Sequence, residues 1–199
     1  MKRHKRGKMR GNIIWVSGLC VLSLLLGVFR VHAEGSMAGT VPEPTQVIKD
    51  LRSKALTLSP SEIGVSPSPE TPHVWGVLME TGYPEALATL VALADGTVSL
   101  YLGHGGGIIG GGEHASVRQA GKVLLSSAEQ YLAKLSPTTS FPLPNVGRVR
   151  FYVLTFSGVL AADVDESELG QGRHKLSKLF YAGQNIITEL RKISEIKGE

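Results

Sequence analysis

The chain has 199 residues, with 21 Lys+Arg against 17 Asp+Glu, 24 glycines, 10 prolines and one cysteine. That is room for one ordinary domain with appendages but not for two, and a single cysteine excludes both an internal disulfide and a cysteine-based zinc site. Seven of the Lys/Arg and none of the acids lie in residues 1–33, leaving 14 basic and 17 acidic residues, a formal −3 that lacks the electrostatic footprint of a nucleic-acid binder.

The first twelve residues, MKRHKRGKMRGN, are followed by an apolar run over 13–29 broken only by Gly and Ser. A basic flank ahead of an apolar stretch is the arrangement of a targeting segment. As a helix the run spans about 25 Å, slightly short of a hydrocarbon core of about 30 Å. Residues 1–33 are therefore read as a signal peptide or membrane anchor. Val31-His32-Ala33 favours a cleaved signal and Arg30 opposes it. Either way the following domain is extracytoplasmic, membrane-anchored or secreted, with membrane contact through 13–29 only. Cys20 follows Leu19, without the small residues of a lipid-attachment site, and counts as an apolar leader residue. The alternative is a cytosolic product starting at Met37.

Residues 34–72 are expected to be a linker containing a short helix over 45–56. Thr45 is its cap, and Val47, Ile48, Leu51, Ala55 and Leu56 fall at helical spacing. The segment SPSEIGVSPSPETP is too rich in Pro and Ser for a continuous helix or strand. The globular domain then runs from 73 to 199.

Residues 74–81 (VWGVLMET), 87–94 and 97–102 predict three antiparallel strands, the last two joined at Asp95-Gly96 by a type I′ turn. A helix is expected from a Ser116 cap to Leu135, ended by Ser136-Pro137. Residues 148–156 and 159–165 predict a second hairpin turning at Ser157-Gly158. The last helix carries Leu176, Leu179, Phe180, Gly183, Ile186, Ile187, Leu190 and Ile193 on one stripe, with Gly183 allowing close approach to the sheet.

The order α-βββ-α-ββ-α makes this an α+β domain, with a five-stranded, mainly antiparallel sheet and helices packed on it in two layers. In element order alone this resembles the small profilin-like, roadblock and longin modules that serve as interaction platforms. Strands 74–81 and 87–94 are apolar nearly throughout, where a one-sided sheet would alternate. Their second face must be covered, either by the 45–56 helix or by a second copy, and a homodimer is the favoured expectation.

Seven glycines fall within 103–112, between a strand and a helix. Such a tract can turn amides toward an anion at a helix N-terminus, which makes His104, Gly105, Gly106, Gly107, Gly110, Glu113 and His114 the candidate ligand-binding residues. Gly105-x-Gly107-x-x-Gly110 matches the dinucleotide lettering, but it follows a tight hairpin where that motif needs a parallel βαβ unit, and Glu129 sits in a helix where the motif needs a strand-end acid. Close backbone packing, with Ile108 and Ile109 turned inward, is the favoured reading. His104-Gly105-Gly106-Gly107 also copies an esterase oxyanion loop, but no Gly-x-Ser-x-Gly accompanies it.

His104, Glu113 and His114, with His174 as a recruit, form the best metal set, although exposed loop histidines are the preferred account. Asp163, Asp165, Glu166 and Glu168 lack the glycine and distal glutamate of a calcium loop and read as an acidic strand end. The expectation is thus a non-catalytic interaction or ligand-sensing module with no catalytic residue, metal or cofactor assigned. A small enzyme or nucleotide and anion binder using 103–112 is the alternative, and a cytosolic roadblock-type regulator starting at Met37 is a third.

Overall fold

The computed structural model describes residues 39–197. The leader, the 13–29 span and the start at Met37 lie outside the described residues, among which no helix is long and apolar enough to cross a membrane.

In chain order the elements are α1 (Gln46–Thr57), β1 (Val74–Gly82), β2 (Leu87–Leu93), β3 (Val98–Leu102), β4 (Gly107–Ile108), α2 (Ala115–Glu129), β5 (Ser136–Thr138), β6 (Arg148–Thr155), β7 (Gly158–Asp165), α3 (Glu166–Gly170) and α4 (Ser177–Lys197). The architecture is α+β. The sheet, however, has seven strands in the order β4-β3-β2-β1-β6-β7-β5, not five, and every neighbouring pair is antiparallel. The two strands missing from the expectation are the edges. β4 is two residues within the glycine tract and β5 is Ser136-Pro137-Thr138, both poor in strand formers. Backbone pairing against a finished neighbour, rather than side-chain propensity, recruits them, and Pro137 is tolerated because an edge strand has a side with no partner.

The expected two layers become three. On one face Val77, Met79, Leu90, Ala92, Phe151 and Val153 pack against α2 and α4. On the other, Leu78, Val91, Leu93, Tyr152 and Leu154 meet Ile48, Leu51, Ala55 and Leu56 of α1, with Ile63 and Val65 after it. The segment read as a linker therefore supplies the second cover, and the apolar character of β1 is accounted for within one chain. A register shift between Val74 and Gly76 lets Val74 serve the first core while Trp75 serves the second.

Local details diverge where backbone geometry decides. Thr45 makes no side-chain cap on α1, and its amide donates to the Gly103 carbonyl at 2.8 Å. In the 94–97 turn only Gly96 has positive φ (92°), so the turn is not type I′. The Gly96 amide donates to the Leu93 carbonyl at 3.1 Å and the Leu93 amide to the Thr97 carbonyl at 2.9 Å, the pattern of a type I turn followed by a left-handed glycine. The Asp95 carboxylate accepts from both the amide and hydroxyl of Thr97, each at 2.9 Å, which holds Asp95 in its turn.

α2 starts after His114 rather than Ser116 and stops at Glu129, six residues before Leu135. Its end coincides with an anchor. The Glu129 carboxylate accepts from the amides of His73 at 2.7 Å and Val74 at 2.6 Å, pinning the start of β1. α4 keeps the expected stripe: Leu176, Leu179, Ile186 and Leu190 are fully buried. A methyl group at Gly183 would lie 2.5 Å from Met79 Sδ, so the missing side chain makes room for Met79 against the helix.

Candidate functional site

The glycine tract is stretched along the sheet edge instead of being gathered into a cradle. At one end the Gly103 amide donates to the Leu87 carbonyl at 2.7 Å and the Leu102 amide to the Gly106 carbonyl at 3.2 Å, closing the turn that holds His104, Gly105 and Gly106. Gly107, at φ 135°, lies so close to the Leu100 carbonyl that no side chain fits. At the other end Gly110 leads into a 3-10 turn, Gly111–Glu113, and then His114. A methyl group at Gly111 would strike Leu190, and one at Gly112 would strike the Gly96 carbonyl oxygen.

His104 thus sits beside the start of β2 and of α1, while Glu113 and His114 sit by the 94–97 turn. The run of β3 from Leu102 to Val98 separates these ends by about 14 Å. His174 is elsewhere again. Its Nδ1 accepts from the Leu176 amide at 3.2 Å at the start of α4, whereas the tract meets α4 at Leu190, about 20 Å along that helix. The four residues of the metal set are therefore not brought together, and no group of three or more His, Cys, Asp or Glu able to hold a metal ion occurs among the described residues. The Arg118 guanidinium donates to the Gly112 carbonyl at 2.6 Å, so that end is already engaged by α2. Ile108 packs on the first core as expected, but Ile109 is 67% exposed.

The acidic cluster is likewise engaged. Asp163 receives Arg148 at 2.6 Å and also Arg150; Glu166 accepts from the Tyr83 hydroxyl at 3.3 Å; Glu168 pairs with Arg173 at 2.6 Å. Asp165 caps the unforeseen α3, accepting from the Ser167 amide at 2.9 Å and the Glu168 amide at 3.2 Å. The Ser167 hydroxyl and these two amides hold the Asp165 carboxyl below its ordinary pKa, with Arg148 assisting. A carboxylate with a lowered folded-state pKa stabilises above its unfolded pKa, and that contribution disappears as pH falls through the lowered value. Asp165→Ala is expected to cost about 1 kcal/mol at neutral pH, as loss of a cap does. Melting both proteins from pH 7 down to acid should show the gap closing. A gap independent of pH would assign the loss to something other than the charged cap.

The charged group that sequence reasoning passed over is at the centre of the second face. Glu80, in β1, is fully buried. Arg52 reaches it from α1 with both forks, Nε to Oε1 at 2.6 Å and Nη2 to Oε2 at 2.8 Å, and also donates to the Phe141 carbonyl at 2.9 Å. The Thr89 hydroxyl donates to Glu80 Oε1 at 3.1 Å. The Arg52 guanidinium lies 5.7 Å from the Tyr152 ring centroid, and Phe141 meets Tyr152 edge-on at 5.5 Å. The Tyr152 hydroxyl closes the site by donating to the Pro142 carbonyl at 2.6 Å.

Burial disfavours the Arg52 charge, but hydrogen bonding and attraction from Glu80 outweigh it, and the pKa of Arg52 stands above its ordinary value. Burial, with the Glu80 charge beside it, also raises the Tyr152 hydroxyl pKa, against the pull of Arg150. Chemically the arrangement is a receptor for a planar cation: a bidentate carboxylate, a carbonyl acceptor and an aromatic wall. Its signal in the sequence was a lone glutamate in an otherwise apolar central strand, and an arginine between Leu51 and Ala55 on the buried stripe of α1.

Comparison of the chain with protein-family models, with curated proteins and with solved structures gives no match to any of them.

Proposed function

We propose that the chain is a non-catalytic interaction module, presented outside the cytoplasmic membrane by residues 1–33 and acting as a homodimer or on a protein partner. The observation that carries this reading is the Glu80 receptor, a fully buried carboxylate whose bidentate guanidinium partner comes from a helix lying across the sheet. The Glu80 carboxylate is engaged by Arg52 and Thr89 of its own chain, which favours a structural role for it over proton transfer. Sequencing the N-terminus of the purified protein separates a cleaved leader from an anchor, and both from a cytosolic product beginning at Met37.

A second reading, a small enzyme or nucleotide and anion binder on 103–112, draws on the exposure of His104, Gly106, Gly107 and Gly110 along that edge. Thermal melting with nucleotides, divalent metal ions and small anions decides between the two. The module reading expects no shift. A ligand at a hundred times its Kd would add about 2.7 kcal/mol, a rise of roughly 5–10 °C. Such a rise, abolished by His104→Ala, would promote the second reading.

A further inference from the structure

We infer that the outward side of α2 and α4 is a basic surface that docks on an anionic lipid membrane. This is a contact of the folded domain, additional to the one expected at 13–29, and it does not depend on whether the leader is retained.

The formal −3 of the domain averages two unlike regions. α2 and α4 with the turns at their ends, residues 113–134 and 171–195, hold eight Lys/Arg and four Asp/Glu, whereas 39–112 and 135–170 hold five Lys/Arg and eleven Asp/Glu. Both helices pack their apolar stripes on the same face of the sheet, through Val117 and Leu124 of α2 and Leu179 and Ile186 of α4. Helical periodicity then turns their remaining positions outward together. On α4 the outward line is Lys178, Tyr181, Asn185, Thr188 and Lys192, all exposed and none acidic. On α2 it includes Lys122 and Val123.

The acids of the region do not cancel this charge. The Glu129 carboxylate is bonded to the amides of His73 and Val74, and Glu189 pairs with Lys192 at 2.7 Å. Lys122, Lys175, Lys178 and Arg191 are exposed and form no ion pair among the described residues. Free cations spread over one face select a negatively charged partner.

Two features select a bilayer over an acidic protein. Val123 is 47% exposed and Tyr181 45%, so apolar side chains stand among the lysines. That combination lets a ring and a branched carbon enter the headgroup boundary while long ammonium stems keep their charge with the phosphates. The cations also sit singly along two helices, with nothing like the fixed bidentate geometry around Glu80. Laterally mobile headgroups meet such charges wherever they stand, whereas an acidic protein has to match their spacing.

The test uses the full chain with Cys20→Ser and one fluorophore, placed either at Asn185→Cys on the outward line of α4 or at Ser53→Cys, exposed on α1 across the sheet. Vesicles of phosphatidylcholine, alone or with about 30% phosphatidylglycerol, carry a lipid-borne quencher. The label reports which face meets lipid, so a leader holding the chain on both kinds of vesicle does not imitate the result. Quenching at 185 is expected to exceed that at 53 severalfold, to require phosphatidylglycerol and to vanish in about 0.5 M salt. Lys122→Glu, Lys178→Glu and Arg191→Glu together should leave the melting temperature within a few degrees of wild type, because none of the three is buried or paired. They should weaken the contact at least about a hundredfold, roughly fivefold for each basic residue. Val123→Ser keeps every charge and should weaken it severalfold. Equal quenching at the two positions, quenching at 185 indifferent to phosphatidylglycerol or to the triple substitution, or no quenching at either position overturns the assignment. A label at 185 that ignores both vesicles and responds to polyglutamate also overturns it, and gives the face to an acidic protein.

Discussion

Arg52→Ala is expected to destabilise the protein by about 3–5 kcal/mol, the usual consequence of removing one member of a buried ion pair. The loss is large because Glu80 has no route to water: it is fully buried, and the remaining side-chain donor on it is the Thr89 hydroxyl at 3.1 Å. For a domain of this size the corresponding fall in Tm is on the order of 10 °C. Removing both charges is expected to behave differently. Arg52→Met combined with Glu80→Leu keeps volume while abolishing two desolvation penalties, and it should recover most of the stability lost by Arg52→Ala alone. Urea unfolding of the wild type, both single variants and the double variant closes the cycle. A single-variant loss below about 1 kcal/mol would mean that water reaches Glu80, as at an exposed pair, and the receptor would have no basis.

The second large effect lies in the glycine tract, where two kinds of glycine are distinguishable by experiment. At Gly112 any side chain collides with the Gly96 carbonyl oxygen, a backbone atom held by the 94–97 turn. Gly112→Ala must therefore displace main chain and is expected to cost about 3 kcal/mol, at the upper end for overpacking. At Gly110 nothing stands within 4 Å, and only its left-handed φ of 75° resists substitution. Gly110→Ala should cost about 1 kcal/mol, the strain of a left-handed L-residue. Thermal melts of the two variants give the comparison directly. Equal, small losses would show that the close approach at Gly112 relaxes freely, and would return the tract to the status of an open loop available to a ligand.

Periodicity made the long elements legible. α4 carries its apolar residues at three- and four-residue spacing, and Leu179, Ile186 and Leu190 are fully buried on that stripe, with Gly183 against the Met79 side chain. The long sheet strands and the second hairpin were readable for the same reason, since runs of β-branched and aliphatic residues bounded by Gly, Pro and Asp have few other uses. Even the existence of a cover for the second face followed from β1, whose nine residues are all buried.

What escaped is of a different kind. β4 and β5 take strand geometry from a neighbour's free edge, α3 exists because Asp165 can cap it, and α2 ends where Glu129 finds the amides of His73 and Val74. Each depends on groups brought together by the fold, so no short periodic pattern in the sequence announces it.

The candidate site divides in the same way. The glycine tract drew attention by composition, yet whether His104, Glu113 and His114 converge was settled by β3 lying extended between them. Arg52 and Glu80 are 28 positions apart and individually unremarked. Composition and spacing by themselves determined an α+β chain with a two-sided apolar sheet and an amphipathic last helix, because burial of apolar area acts locally on pattern. Only the tertiary structure decided which charges share a buried site, because pairing two ions out of water depends on distance and direction in space, which periodicity does not encode.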